Sequence, residues 1–167
     1  MPDMPISENR EIKKTLEIEH RAKSGASWFF WIAGLSMANS ILLVTGANVG
    51  FPVGLGVTQI VDAAAFQAGA NAQVIGLALS AMVASIFIFF AVMARKNQPW
   101  AFVAGLVLYA ADGLLFLIIS DWLSIAFHAW GFLGILSGLR AAKRIRAMQP
   151  TMPVLQTSVD RVHSLQR

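Results

Sequence analysis

The chain has 167 residues, of which 56% are hydrophobic and only 13% are charged. Soluble domains carry about a quarter charged residues, so this composition excludes an ordinary soluble fold and indicates a single membrane domain. The formal net charge is +4, but the basic residues lie directly beside apolar runs. This placement favours contact with the lipid bilayer over contact with nucleic acid. The chain contains no cysteine, which excludes disulfides and thiolate metal sites.

The N-terminal segment, residues 1–25, is densely charged and is predicted to form a helix outside the membrane over Ile6–Lys23. Glu17 and Arg21 form an acid-before-base pair one turn apart, which stabilises an exposed helix. A solvated helix lying at the headgroups is favoured over a helix that docks a partner. No short apolar run with a small-residue cleavage site follows, so we expect the first membrane span to be retained.

Four apolar runs are each long enough to cross a bilayer, which takes about 20 helical residues. They cover about 26–46, 74–94, 100–120 and 122–139. The first opens with an aromatic belt from Trp28 to Trp31. The sequence therefore predicts an all-α integral membrane protein with a four-helix transmembrane bundle over 26–140, followed by a basic tail over 141–167.

The segment between the first two spans is rich in glycine and contains Pro52, which together break a continuous helix. Residues 53–68 then have a helical pattern. This stretch is short for a span and contains Asp62. We therefore predict an extra helix that is interfacial or partly re-entrant.

The basic residues predict the orientation. Five precede the first span, two lie between the second and third, and six follow the fourth. The loop over 47–73 and the turn at Asp121 contain no lysine or arginine. The positive-inside rule then places both termini in the cytoplasm of a multi-pass protein of the plasma (inner) membrane.

Polar residues recur at one depth in all four predicted spans. At about 1.5 Å per residue, each of these residues lies roughly 9–12 Å from the outer end of its span. Two more lie one turn away, and one more lies on the extra helix. These residues form a candidate ligand-binding polar layer, which consists of Asn39, Asp62, Ser80, Tyr109, Asp112, Ser124 and His128.

The ionisable residues of the last two spans, Asp112 and His128, allow two interpretations. An unpaired carboxylate in hydrocarbon costs at least ~3 kcal/mol, so it must pair, bind a proton or face water. In one interpretation a hydrogen bond between the two residues fixes the packing of the helices. In the other, they line an outward-facing pocket for a small ligand or a proton.

Catalysis is a third possibility. Ser124 or Ser80, together with His128 and Asp112, supplies the residue types of a nucleophile triad, but the chain lacks a GxSxG elbow. A metal site from His128, Asp112 and Asp62 is disfavoured, because the spans contain one histidine and no cysteine. We expect no catalytic residue, no metal and no cofactor.

The leading functional expectation is a non-enzymatic membrane protein that binds a small ligand or proton in the polar layer, or that serves as an accessory subunit of a membrane complex. A membrane-embedded hydrolase or transferase using His128 and Asp112 is the alternative. A purely structural or oligomeric scaffold is the second alternative.

The last span carries a close-packing face of small residues, Gly131, Gly134 and Gly138. Packing within one chain is the first interpretation of this face, and contact with a second copy or another membrane protein is the other. A scaffold predicts that the polar layer is closed and that this face meets another copy.

Overall fold

Five helices make up the part of the chain that the computed structural model describes, which covers residues 6–46, 54–118 and 120–148. They are α1 (Ile6–Val44), α2 (Gly56–Ala68), α3 (Ala70–Arg95), α4 (Pro99–Ile118) and α5 (Trp122–Met148). These residues contain no strand, and the predicted all-α membrane bundle is confirmed. Pro52 and the end of the predicted basic tail, residues 149–167, lie outside the described residues.

Four of the helices, α1, α3, α4 and α5, are long and apolar enough to cross a membrane. Large apolar side chains such as Ile75, Leu114 and Leu133 point outward from the bundle and are more than half exposed. An outward-facing apolar surface of this kind is suited to lipid and would be unstable in water.

The first helix is longer than predicted, because the expected charged helix and the first span form one continuous helix of 39 residues. Its length of about 58 Å exceeds the roughly 30 Å of the hydrocarbon core. The charged first turns therefore extend beyond the apolar part of the bundle. The predicted pair in these turns is formed, with Arg21 Nη2 lying 2.6 Å from Glu17 Oε1.

The bundle has two chemically different ends. The basic end contains the connection from Arg95 to Pro99 and the last turns of α5 from Arg140 onward. The distal end is the opposite one, where α1 ends, α3 begins, and α4 is followed by α5. All four spanning helices run between these two ends.

The core nearer the basic end is aromatic. Phe29 of α1 is fully buried, and its ring centroid lies 6.1–6.3 Å from those of Phe87, Phe90 and Phe102. Gly105 makes room for this ring, because an ideal Cβ there would lie 2.5 Å from it. Close packing of this kind fixes α1 against α3 and α4.

The extra helix α2 is re-entrant. The backbone N–H of Leu55 donates to Ser36 Oγ at 2.8 Å, and Ser36 lies two turns before the end of α1. The chain therefore returns about 12 Å along the bundle before α2 begins. From there α2 runs back to the distal end beside α3, where Gly76 meets Ala65, and Gly69 (φ 101°) makes the turn between the two helices.

Candidate functional site

The N-terminus of α2 is capped by a carboxylate from another helix. The backbone N–H groups of Gly56 and Val57 donate to Asp112 Oδ2 and Oδ1 at 2.8 and 2.9 Å. Leu55, at the N-cap position, supplies no side-chain cap. The first N–H groups of a helix have no acceptor within the helix, and an unsatisfied one costs several kcal/mol in lipid. Asp112 of α4 therefore satisfies donors that the local sequence leaves open, at the positive end of the helix dipole.

A glycine at the start of α2 permits this approach. An ideal Cβ on Gly56 would lie 2.9 Å from the ring of Phe116 and 3.5 Å from the backbone oxygen of Asp112. Any side chain here would push α2 away from α4 and lengthen the two capping bonds. The residue is thus required by the close contact between the two helices.

His128 of α5 completes the cluster around this carboxylate. Its Nε2 lies 3.1 Å from Asp112 Oδ2, and its Nδ1 lies 3.0 Å from the carbonyl oxygen of Ser124. The imidazole stacks on Tyr109 with ring centroids 4.5 Å apart and an angle of 17° between the planes. Asp112 and His128 are both buried, with 7% and 6% of their surface exposed. The pair joins α4 to α5 in a place that water does not reach freely.

Two acceptors surround His128, and this arrangement suits a shared proton. When Nδ1 carries a proton it donates to the carbonyl oxygen of Ser124, which only accepts. A neutral ring protonated at Nδ1 has a bare Nε2, and this atom faces a carboxylate oxygen that also only accepts. The contact becomes a hydrogen bond when one proton lies between the two groups, either on the imidazole or on Asp112. In both arrangements the pair has zero net charge.

A second buried carboxylate, Asp62, ties α2 to α1 and α3. Ser80 Oγ of α3 donates to Asp62 Oδ1 at 2.8 Å, and the hydroxyl of Ser40 of α1 is hydrogen-bonded to Oδ2. Ser40 also lies 3.2 Å from the carbonyl oxygen of Ser36, whose hydroxyl holds Leu55. Serines from both neighbouring helices therefore hold α2 in its re-entrant position.

The predicted polar layer thus divides into two clusters linked by α2. Tyr109, Asp112, Ser124 and His128 lie together in the first cluster, and Asp62 and Ser80 lie together in the second. Asn39 belongs to neither cluster. It is half-buried beside Gly54, where an ideal Cβ would lie 2.8 Å from its amide nitrogen.

The structure also adds residues that the sequence analysis did not include in the layer. Ser36 and Ser40 are one turn apart on α1, and this spacing was the available signal for a polar face. Asp121 caps α5 by accepting the backbone N–H of Ser124 at 3.2 Å and its hydroxyl at 2.6 Å. The side-chain hydrogen bond from Ser124, together with its backbone bond, lowers the pKa of Asp121 below the usual value. An aspartate immediately before an apolar run is the usual sequence sign of such a cap.

The described part of the layer is tightly packed. The space beside Asp62, among Leu43, Phe66 and Gln73, has no volume for a water molecule. In the part of the chain that the structure describes, every buried side-chain nitrogen and oxygen atom has a hydrogen-bond partner. Two clefts of larger volume lie between α1 and α5. A small molecule therefore has no preformed space beside Asp62.

The glycine face of α5 is filled from within the chain. An ideal Cβ on Gly131 would lie 2.7 Å from the hydroxyl oxygen of Tyr109, and one on Gly134 would lie 2.1 Å from the indole nitrogen of Trp28. Gly138 meets Gly25 of α1 in the same way, at 2.6 Å. Of the two interpretations, packing within one chain is the one that these contacts show.

The triad arrangement is not formed. The hydroxyl of Ser124 donates to Asp121, that of Ser80 donates to Asp62, and neither is bonded to His128. Both ring nitrogens of His128 are already bonded to other groups. Among the described residues, no three His, Asp or Glu side chains converge as metal ligands would.

Comparison with protein-family models, with curated proteins and with solved structures found no match. The functional argument therefore depends on the contacts of the buried polar groups.

Proposed function

We propose that this chain is a non-enzymatic, multi-pass protein of the plasma membrane that binds a proton at Asp112 and His128. The bound proton holds the re-entrant helix α2 in place. The observation that supports this proposal is the contact of His128 with two acceptors, the carbonyl oxygen of Ser124 at 3.0 Å and Asp112 Oδ2 at 3.1 Å. An imidazole that donates to both acceptors needs one proton more than a neutral histidine beside a carboxylate provides.

A proton fits this site better than a small molecule does. The polar layer has no empty volume beside Asp62, and the buried polar side chains of the described residues are all bonded. A proton needs no cavity, since it occupies a bond between atoms that are already in contact. Ionisable groups inside a membrane commonly serve as proton relays, pathways or switches, which agrees with this role.

Loss of the proton gives the site a way to act on α2. The pair then carries a net negative charge, which the two N–H groups and the dipole of α2 offset only in part. The bare Nε2 and the carboxylate oxygen no longer share a proton, so water must enter between α4 and α5 beside the N-terminus of α2. The other ionisable groups on α2, α4 and the distal half of α5 are Asp62, Tyr109 and Asp121, and none of them is a cation. The cations of α5 begin at Arg140, about three turns from His128 at the basic end. Protonation of the pair and docking of α2 are therefore coupled.

The positive-inside rule places the distal end, and with it α2, on the exterior side of the membrane. Because the chain has no cysteine, single cysteines can report this orientation without a background signal. Gln67→Cys at the end of α2 is expected to react with a membrane-impermeant maleimide in intact cells. Lys96→Cys at the basic end is expected to react only after the cells are opened. The reverse pattern would place the site on the cytoplasmic side.

Hydrogen–deuterium exchange of residues 54–69 in lipid nanodiscs tests the coupling. We expect protection of this segment, corrected for the intrinsic exchange rate, to change with pH when it is measured from about pH 5 to pH 8. His128→Gln is expected to remove this pH dependence, whereas His20→Gln, in an exposed turn of α1, is expected to keep it. Protection that is high and constant across the whole range in the wild type would contradict the proposal.

The imidazole of His128 can also be observed directly. Nitrogen-15 labelling of histidine gives signals from three residues, and comparison with His128→Gln assigns the buried one. We expect that signal to report the shared proton, with Nδ1 protonated and Nε2 in a strong hydrogen bond. A neutral ring protonated only at Nε2 would contradict the donor and acceptor assignment.

A purely structural clasp is the second candidate, and the complete hydrogen bonding of the layer favours it. In that case the pair only fixes α4, α5 and α2 together. The exchange experiment separates the two roles. A clasp gives strong protection at every pH, and both Asp112→Asn and His128→Gln lower it equally. A proton switch gives protection that changes with pH.

A further inference from the structure

A cationic cleft lies between α1 and α5 at the basic end of the bundle. Its volume is about 200 Å³, and it is lined by Arg21, Arg140, Arg144 and Ser137. Arg21 is paired with Glu17 at 2.6 Å. Neither of the other two arginines forms an ion pair with a residue in the described part of the chain. Two guanidinium groups and a hydroxyl therefore line a cleft in which the described residues place no neutralising anion.

An aromatic groove lies between the same two helices, one to two turns further into the membrane-spanning region. Its volume is about 350 Å³, and it is lined by the aromatic residues Trp28, Trp31, Phe127 and Trp130 together with serine and aliphatic side chains of α1. Trp28 and Trp130 meet edge to face with ring centroids 5.3 Å apart. Trp31 and Trp130 remain 66% and 60% exposed, so the groove opens to the surroundings of the bundle.

The cleft and the groove lie on one side of the α1–α5 contact. Residues three or four apart share a helix face, and the α1 residues that line the two spaces follow this spacing from Arg21 through Trp28 to Leu35. On α5 the residues Trp130 and Ser137 are seven apart, as are Ser137 and Arg144, which also places them along one stripe. The two spaces therefore follow one another along the same side of the helix pair, cationic at the basic end and aromatic below it, and we call them together the track.

Two facing glycines shape this track. Gly25 and Gly138 bring the backbones of α1 and α5 so close that an ideal Cβ on Gly25 would lie 2.3 Å from the Cα of Gly138. Trp28 of α1 packs on Gly134 of α5 next to this contact, and the large side chains beyond it stand beside the helix pair and form the walls of the groove. The close contact thus creates a groove along the outside of the helix pair.

We propose that this track is a binding site for one anionic phospholipid. The guanidinium groups of Arg140 and Arg144 bind the phosphate, since arginine matches phosphate in both charge and hydrogen-bond geometry. The acyl chains lie in the aromatic groove. The order of the track, with arginine at the interface and an apolar groove below it, matches the order of headgroup and tail in a phospholipid. A soluble anion or a nucleic acid would use the cleft and leave the groove empty.

The proposal is independent of the proton site, which lies among α2, α4 and α5. Native mass spectrometry of the purified protein tests it with equal amounts of phosphatidylglycerol and phosphatidylcholine of the same acyl chains. We expect the wild type to retain phosphatidylglycerol preferentially. The double variant Arg140→Gln/Arg144→Gln is expected to reduce this preference on the order of tenfold. The matched control is Lys143→Gln/Arg146→Gln, which removes the same charge from the same turns of α5 but from outside the cleft.

Tail binding is tested by fluorescence. Phosphatidylglycerol with brominated acyl chains is expected to quench tryptophan emission more than brominated phosphatidylcholine does at the same lipid fraction. This additional quenching should disappear in Arg140→Gln/Arg144→Gln. Equal retention of the two lipids by the wild type would overturn the proposal. An equal loss of preference in the control variant would also overturn it, because attraction would then depend on the overall charge of α5. A lipid preference without excess quenching would show headgroup contact alone and would overturn the groove assignment.

Discussion

Asp112 caps a helix that begins 56 residues earlier in the chain, with its Oδ2 atom 2.8 Å from the backbone nitrogen of Gly56. This contact fixes the depth at which α2 starts, because the carboxylate is itself fixed by α4. It also brings the positive end of a helix dipole into the membrane region, opposite a negative charge. The buried carboxylate and the buried helix terminus therefore each offset the cost of the other.

Substitution of Asp112 tests this mutual compensation. Gly56 and His128 both contact the Oδ2 atom of Asp112. In Asp112→Asn this position holds either the amide oxygen, which accepts from Gly56, or the amide nitrogen, which donates to the bare Nε2 of His128, so one of the two contacts is lost. We expect Asp112→Asn to lower the free energy of unfolding by about 1–3 kcal/mol. Asp112→Ala is expected to lower it further, because it leaves two N–H groups and the imidazole without partners. Equilibrium unfolding in detergent measures both. Asp112→Ala as stable as the wild type would contradict the capping role.

The serines that hold Asp62 provide a second test. Ser80→Ala removes a donor to a buried carboxylate, which is expected to cost about 1–3 kcal/mol. Ser85→Ala is the matched control on the same helix, because that hydroxyl is exposed and bonds only the backbone of Ala81. We expect the control to change stability by no more than about 0.5 kcal/mol. Equal effects of the two substitutions on unfolding would show that Ser80 does not hold Asp62.

Asp121 lies outside the spans, and its contribution to the stability of the fold is expected to depend on pH. Its pKa is lowered in the folded protein, mainly by the side-chain hydrogen bond from Ser124, from an ordinary value of 3.8. A lowered pKa means that the ionised form is favoured by folding, so the contribution to stability is complete above pH 3.8 and is lost as the pH falls through the folded value.

Asp121→Ala is expected to cost about 1 kcal/mol at neutral pH, as for other N-caps, and Asp121→Asn is expected to cost less. The difference in unfolding free energy between wild type and Asp121→Ala should therefore narrow in acid. Thermal unfolding at neutral and acidic pH measures this difference. A difference that widens as the pH falls would contradict the assigned direction.

The sequence predicted the spans but not the contacts among their polar groups. Length and hydropathy are sufficient for a span, because lipid demands little else of a helix. Depth counting then placed Asp112 and His128 at one level, but depth says nothing of direction around the helix. Ser40 rather than its neighbour Asn39 reaches Asp62, since adjacent residues point about 100° apart.

The partner of Asp112 could not be predicted for a different reason. Its strongest contacts are backbone N–H groups of Gly56 and Val57, and backbone groups are present at every non-proline residue. Glycines before residue 56 indicated a broken helix, but not how far the chain would return into the bundle. The depth at which α2 begins depends on tertiary contacts, such as that between Leu55 and Ser36, that have no local pattern.

Two glycines of α1 provide a test variant and a matched control for the contact between α1 and α5. Gly25→Ala places a methyl group against the backbone of Gly138, where an ideal Cβ would lie 2.3 Å from Cα, so the two helices must separate. Gly34→Ala, two to three turns further along the same helix, has no atom within 4 Å of the added Cβ.

Alanine is the better helix former by about 1 kcal/mol, so we expect Gly34→Ala to be neutral or stabilising. Gly25→Ala gains the same helix propensity but loses helix packing, and overpacking typically costs about 1–3 kcal/mol. Gly25→Ala is therefore expected to lower the stability measured by thermal unfolding. Separation of the two helices should also weaken the preference for phosphatidylglycerol that we attribute to the track. A Gly25→Ala protein that matches Gly34→Ala in both measurements would show that the α1–α5 contact tolerates a wider spacing, and that the shape of the groove does not depend on it.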